Sequence, residues 1–223
     1  MAKIARPLLV VLACAILLGH AAVAAAQSSA KTGLLHRLEF SGIAGAAAVK
    51  NVGGTYGGEL SLPWSDRITL FGEGLWMEDV VTRHRADVAA PIASALEASQ
   101  GKPASGTVTA PAAYGGGGVR ILLAPHHSIR PYVAFSAGAA HVAYTPVFVL
   151  AGTNVTKSLA QYGVTLGRDL TGESTNAAFS GGAGVRIPKG RWSFDIGLRV
   201  TSIRTPNGPT NVSGLRAALG LKF

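Results

Sequence analysis

The chain has 223 residues, of which 48% are hydrophobic, 7% aromatic and 14% charged, enough for a single domain with a sizeable core. Its 20 Lys and Arg against 11 Asp and Glu give a formal +9. That balance suits nucleic acid until the amino terminus marks the chain for export, where nucleic acid is not an expected partner. Cys14 is the only cysteine, which excludes a disulfide framework, so stability has to come from hydrogen bonding and burial.

Lys3 and Arg6 make a basic start, Pro7 to Gly19 is almost wholly apolar, and Ala24-Ala25-Ala26 precedes Gln27 with the small residues a signal peptidase needs. Residues 1–26 therefore read as a signal peptide, 27–34 as an amino-terminal periplasmic stretch and 35–223 as the folded domain. Val11-Leu12-Ala13-Cys14 also reads as a lipoprotein box, but Cys14 lies inside the apolar stretch with too little of it ahead, and the signal-peptide reading is preferred. Beyond this segment no apolar run reaches the ~20 residues of a membrane helix. A membrane-spanning form is then limited to a barrel of strands.

Strand-like segments follow at Leu38 to Ala48, Tyr56 to Leu62, Ile68 to Met77 and Tyr114 to Leu123, then at Ile129 to Tyr144, Ala177 to Ile187, Trp192 to Ser202 and Val212 to Phe223. These make eight strands, an even number as bacterial outer-membrane barrels require. Pro63 to Arg67, Ala124 to Ser128 and Pro188 to Arg191 are tight turns. Glu78 to Ala113 and Pro146 to Asn176 are long connections, while Asn51 to Thr55 and Ile203 to Asn211 are of modest length. With the chain entering from the periplasm, every tight turn falls inside and both long connections fall outside, the arrangement of an up-and-down membrane barrel. Within the first long connection, Asp87 to Gln100 reads either as a short helix interrupted by Pro91 or as an Ala-rich loop. A weak repeat, Gly117-Gly118-Val119-Arg120-Ile121 and Gly182-Ala183-Gly184-Val185-Arg186-Ile187, each continuing through a turn into a new strand, suits repeated hairpins.

The last three strands alternate strictly, and on the first of them Phe179, Ala183, Val185 and Ile187 oppose Ser180, Gly182, Gly184 and Arg186. Trp192, Phe194, Ile196, Leu198 and Val200 oppose Ser193, Asp195, Gly197, Arg199 and Thr201, and the row Leu215, Ala217, Leu219, Leu221, Phe223 opposes Gly214, Arg216, Ala218, Gly220, Lys222. Facing Arg186, Arg199 and Arg216 to lipid costs ~2–4 kcal/mol each near the midplane. The apolar rows therefore face lipid and the arginines point into a lumen only just wide enough for side chains. Alternation assigns Glu39, Glu59, Glu73, Arg120, Asp195, Arg199 and Arg216 to that lumen. We read them as ion pairs filling a narrow interior in preference to an ion path, with Glu73 paired to a luminal arginine. Trp64, Trp192 and Phe223 fall at the inner end and Tyr56, Trp76 and Tyr144 at the outer end, as two aromatic girdles.

Removing Lys3 and Arg6 leaves 18 basic against 11 acidic residues. In the outer connections Arg83, Arg85, Lys102, Lys157, Arg168 and Arg204 are matched by Glu78, Asp79, Asp87, Glu97, Asp169 and Glu173. The excess charge therefore sits elsewhere, partly in Arg67, Arg130, Arg186, Lys189, Arg191 and Lys222 near the periplasmic rim.

The terminal Leu219-Gly220-Leu221-Lys222-Phe223, the strand opening Arg130-Pro131-Tyr132 and the two Gly-Val-Arg-Ile strand ends resemble the small outer-membrane β-barrel domain family, which holds opacity-like surface proteins and the transmembrane domain of the OmpA type. The resemblance implies a Gram-negative outer membrane, outer-membrane lipid and lipopolysaccharide as surroundings, and the outer-membrane assembly machinery as the reader of Phe223, an assembly signal. Any extracellular ligand is expected at the long outer loops, Glu78 to Ala113 and Pro146 to Asn176. The expectation is an all-β, eight-stranded, non-enzymatic barrel serving surface interaction or envelope integrity, with a small channel as the alternative and a lipid-modifying enzyme third. His141-Val142-Ala143 lacks the serine of a lipid A deacylase-like pair, and His126-His127 has no third metal ligand in sequence reach. No cofactor or metal is expected.

Overall fold

The computed structural model describes residues 37–167, 170–205 and 208–223; the expected signal peptide and periplasmic stretch lie outside the described residues. Period-two patterning dominates and the described chain is mostly strand. The elements are β1 (Glu39–Ala48), β2 (Val52–Pro63), β3 (Ile68–Met77), helix α1 (Arg83–Gln100), β4 (Ala104–Thr109), β5 (Ala112–Leu122), β6 (Arg130–Leu150), β7 (Thr153–Asn154), a 3-10 segment (Thr156–Tyr162), β8 (Gly172–Lys189), β9 (Trp192–Thr205) and β10 (Gly208–Lys222).

Eight strands pair antiparallel in the order β6-β5-β3-β2-β1-β10-β9-β8, and β8 pairs back onto β6 to close the ring. Closure matters because an open edge would leave backbone N–H and C=O groups unpaired, which lipid cannot tolerate. The register follows the predicted faces: Glu59 stands opposite Glu73, Gly197 opposite Arg216, and Gly182 opposite Arg199. Outside, Phe40, Leu60, Leu70, Phe135, Phe179, Phe194, Ile196, Leu198, Val200, Leu215 and Leu219 form an apolar wall, with Leu198 as much as 67% exposed. A wall of this kind is far larger than the apolar patches that monomers in water display.

The wall and the pocketed charges assign the two sides. All three tight turns lie at one end of the barrel, and the long connections lie at the other. The modest connections are shorter than the sequence suggests, because β2 begins at Val52, β9 extends to Thr205 and β10 begins at Gly208.

The long connections are not independent loops. β6 continues six residues past Tyr144, through Pro146, and its far end pairs with β4 and then with β7. Helix α1 lies on this small sheet. Thr82 caps it by accepting from the Arg85 N–H at 3.5 Å, and Gly101, at φ 60°, ends it by donating to Glu97 O. Pro91 is carried inside the helix. Ala89, Ala93 and Leu96 face inward, with Ala89 and Leu96 joining Val108, Phe148, Leu150, Val155 and Leu159 in a core that also takes in Ile43, Leu75, Met77, Ile203 and Val212 from the upper lumen. The barrel is therefore stoppered by a cap whose core is continuous with its own.

Candidate functional site

Two constructions stand out: the luminal charge network and the cap. The network begins where β2 and β3 place Glu59 directly opposite Glu73. Like charges so placed repel, and the neighbouring strands supply cations. Arg120 of β5 sends Nη2 to both Glu59 carboxylate oxygens at 2.9 Å. Arg199 of β9 grips both oxygens of Glu73. Arg216 of β10 lies between them, 3.3 Å from Glu59 and 3.4 Å from Glu73. Nearer the tight-turn end, Arg186 and Ser193 both bind Glu39, and Tyr132 donates to Asp195 at 2.6 Å.

All seven residues assigned to the lumen point inward, and Glu73 is paired with two arginines. Sequence reading missed the uncharged members. Ser136 donates to Glu73 at 3.1 Å and receives Arg199 at 2.9 Å, while the Tyr114 hydroxyl lies 3.1 Å from Ser136. The signal was available in principle, because Tyr132 and Ser136 alternate with the lipid-facing Phe135. Arg186, close to the tight-turn rim, faces the lumen as alternation on β8 assigns it, opposite the lipid-facing Val185 and Ile187, and reaches Glu39. Packing of these groups leaves little space. Two cavities beside Arg199 and Arg216 measure about 10 and 30 Å³, one to two waters in scale.

The cap is tied to the barrel by acidic side chains. Asp79 Oδ1 accepts from the Val81 and Ala110 N–H groups at 2.9 and 3.0 Å, and Glu78 accepts from the Gly54 N–H at 2.8 Å. Arg85, expected in an outer loop, is buried with its guanidinium 3.8 Å over the Tyr144 ring. Tyr144 is therefore no girdle residue: β6 turns it inward, under the helix. Tyr56 at the outer end and Trp64, Trp192 and Phe223 at the inner end remain exposed on the wall.

His141 has cross-strand partners that its sequence neighbours do not reveal. No serine neighbours it in sequence, yet β8 brings the Thr175 hydroxyl to 3.0 Å from Nδ1 and the Glu173 carboxylate to 3.5 Å from Nε2, all on the outer wall beneath the cap. His126 and His127 are exposed in their turn, and among the described residues no cluster of three metal-ligating side chains occurs.

A closed ring of eight strands with a lipid-compatible wall and a charge-packed lumen defines the class: a small membrane-spanning β-barrel of the outer-membrane type. No protein-family profile and no curated protein matches the sequence. Among solved structures the chain is similar to Neisserial surface protein A, at 11% identity over 83% of this chain and 96% of that one, with a TM-score of 0.51. It is also similar to the N-terminal β-barrel domain of Pseudomonas aeruginosa OprF (16% identity, 82% and 96% covered, TM-score 0.46) and to the outer membrane enzyme PagL (15%, 83% and 99%, 0.44). The first of these likenesses shows the fold, in agreement with the class read from the strand pattern.

Proposed function

We propose that this protein is a non-enzymatic outer-membrane barrel whose folded cap is a recognition surface, with the lumen serving as a rigid base. The observation that carries this reading is that the two long connections share one hydrophobic core and hold the exposed face of α1, with Arg83, His84 and Asp87, in a fixed position above the barrel. Loops that present function are held by rigid scaffolds in this way. The small-channel reading is disfavoured by the filled lumen. In host cells displaying the protein, adherence to immobilised matrix and serum proteins should fall when Arg83, His84 and Asp87 are replaced together by alanine, with the boiling-dependent gel shift unchanged. Equal adherence of the two would overturn the reading.

A second reading, acyl-ester hydrolysis, is favoured by the contact of His141 with Thr175 and Glu173, an order of hydroxyl, imidazole and carboxylate that can activate a nucleophile. Release of fatty acid from lipid A or phospholipid by the refolded protein, lost in both His141→Ala and Thr175→Ala, would establish it. No release would leave the first reading standing.

A further inference from the structure

Strand parity divides the cations at the tight-turn end. Lys222 of β10 stands directly opposite Glu39 of β1, and Arg130 of β6 directly opposite Arg186 of β8. Glu39 and Arg186 are buried in the lumen, and residues opposite each other in a ladder share a face. Arg191, just ahead of β9, lies two residues before the buried Ser193 and takes the same face. Lys189 stands opposite Trp192, on the lipid side. Three cations therefore line the inner mouth of the lumen, and one lies outside it.

The charge behind this mouth is already balanced. Arg120, Arg186, Arg199 and Arg216 are matched in number by Glu39, Glu59, Glu73 and Asp195. Glu39, which faces Lys222 in the ladder, is taken up by Arg186, Ser193 and Ser41. Among the described residues no carboxylate lies within ion-pair distance of Arg130, Arg191 or Lys222. Arg37 and Arg67 add charge of the same sign at this end, whose tight turns hold one acidic side chain, Asp66.

The cations are also held in place against their mutual repulsion. Lys222 donates its backbone N–H to Arg191 O, and Arg191 Nε donates back to Lys222 O at 3.4 Å, which sets the two residues side by side across the β9–β10 edge. Like charges so placed destabilise a sheet unless an anion lies between them. Arg130 is fixed by donation from Nε to His127 O at 3.1 Å. In both arginines Nε anchors the side chain and leaves the Nη pair as a planar fork for an oxyanion.

The strands that carry these residues, β6, β9 and β10, are joined in the ring through β8. The contacts of Arg186 and Ser193 with Glu39 close the lumen behind them, so the mouth is a blind recess. A lumen of eight strands is only just wide enough for side chains. A compact anion can enter it, and a folded domain cannot. Phosphate presents oxygens on a tetrahedral centre and can bridge cations from neighbouring strands, whereas a carboxylate offers two oxygens in one plane.

From this juxtaposition we infer that the inner mouth of the lumen, lined by Arg130, Arg191 and Lys222, is a binding site for a compact multivalent phosphate anion reaching it from the periplasm. The inference is independent of what the cap recognises.

The test is calorimetric titration of the refolded full chain, in zwitterionic detergent, with inorganic tripolyphosphate. The wild type should bind it saturably at one per barrel, and raising the salt should weaken binding. Arg191→Gln/Lys222→Gln should weaken it by about tenfold or more, the scale of a lost hydrogen bond between charged groups, with the gel shift intact. Arg130→Gln, at the other end of the arc, should weaken it as well. Lys189→Gln, on the lipid side of the same rim, should bind as the wild type does. Absence of saturable binding, binding insensitive to salt, or equal loss in Lys189→Gln and the luminal pair would overturn the inference. Hexaglutamate bound as tightly as tripolyphosphate would overturn the choice of phosphate and point to an acidic polypeptide. The wild-type stoichiometry and salt response need no variant and decide the matter if the double variant fails to fold.

Discussion

Glu73 shows how far one buried carboxylate can organise a lumen. It meets Arg199, Arg216 and Ser136 and stands beside Glu59, so its removal leaves two guanidinium groups facing each other without their shared anion. Breaking a buried pair by removing one partner costs ~3–5 kcal/mol, because the remaining charge stays desolvated. Glu73→Ala should therefore lower the unfolding free energy of the refolded barrel by about that amount in urea titrations, whereas Lys50→Ala, which breaks the exposed pair with Asp87, should change it by less than about 1 kcal/mol. Phe223 is a different case. It is exposed, and its backbone N–H already reaches Leu38 O at 3.1 Å, so its ring contributes little to the folded state. If the ring is read during assembly, Phe223→Ala should lower the amount of barrel inserted in cells and leave refolding into detergent unchanged; a parallel loss in both would show a packing role instead.

At the scale of elements, what was legible followed period two. Strands β3 and β9 could be placed within a few residues, and the luminal charges could be sorted from the lipid face, because alternation is local and each face carries its own chemistry. The cap was not legible for the opposite reason. β4 is Ala-Ser-Gly-Thr-Val-Thr, weakly apolar and unremarkable alone, and the extension of β6 runs through Pro146, which argues for a strand end. What makes these segments strands is their pairing with each other across some forty residues, together with the burial of Phe148 beneath α1. Gly106 is the hinge of that arrangement: a Cβ there would lie 2.6 Å from a Phe148 ring carbon and 2.9 Å from Ala89 O. Gly106→Val should thus lift α1 from the sheet at a cost of ~1–3 kcal/mol. The expected readout is new protease cleavage around residues 83–109 with an unchanged gel shift, and a cap that stays resistant would show that the helix is held by other contacts.

Taken as a whole, the molecule carries two seals in series. The lower is ionic, with Glu59, Glu73, Arg120, Arg199 and Arg216 bridging the lumen from opposite walls; the upper is apolar, with Ile43, Leu75, Met77, Ile203 and Val212 continuing into the cap. Each acts on a different obstacle to an ion. The apolar layer offers no replacement for hydration, and the ionic layer fills the cross-section with groups already satisfied by one another. Because the two layers are built from different side chains at different heights along the barrel, removing one does not open the other. Planar bilayers containing the intact protein should therefore remain silent in single-channel recordings. A form lacking residues 83–109 should stay silent as well, since the carboxylate–guanidinium layer is untouched by the deletion. Steady conductance from the intact protein would put the channel reading first, and conductance from the deletion alone would show that the cap, not the charge layer, closes the barrel.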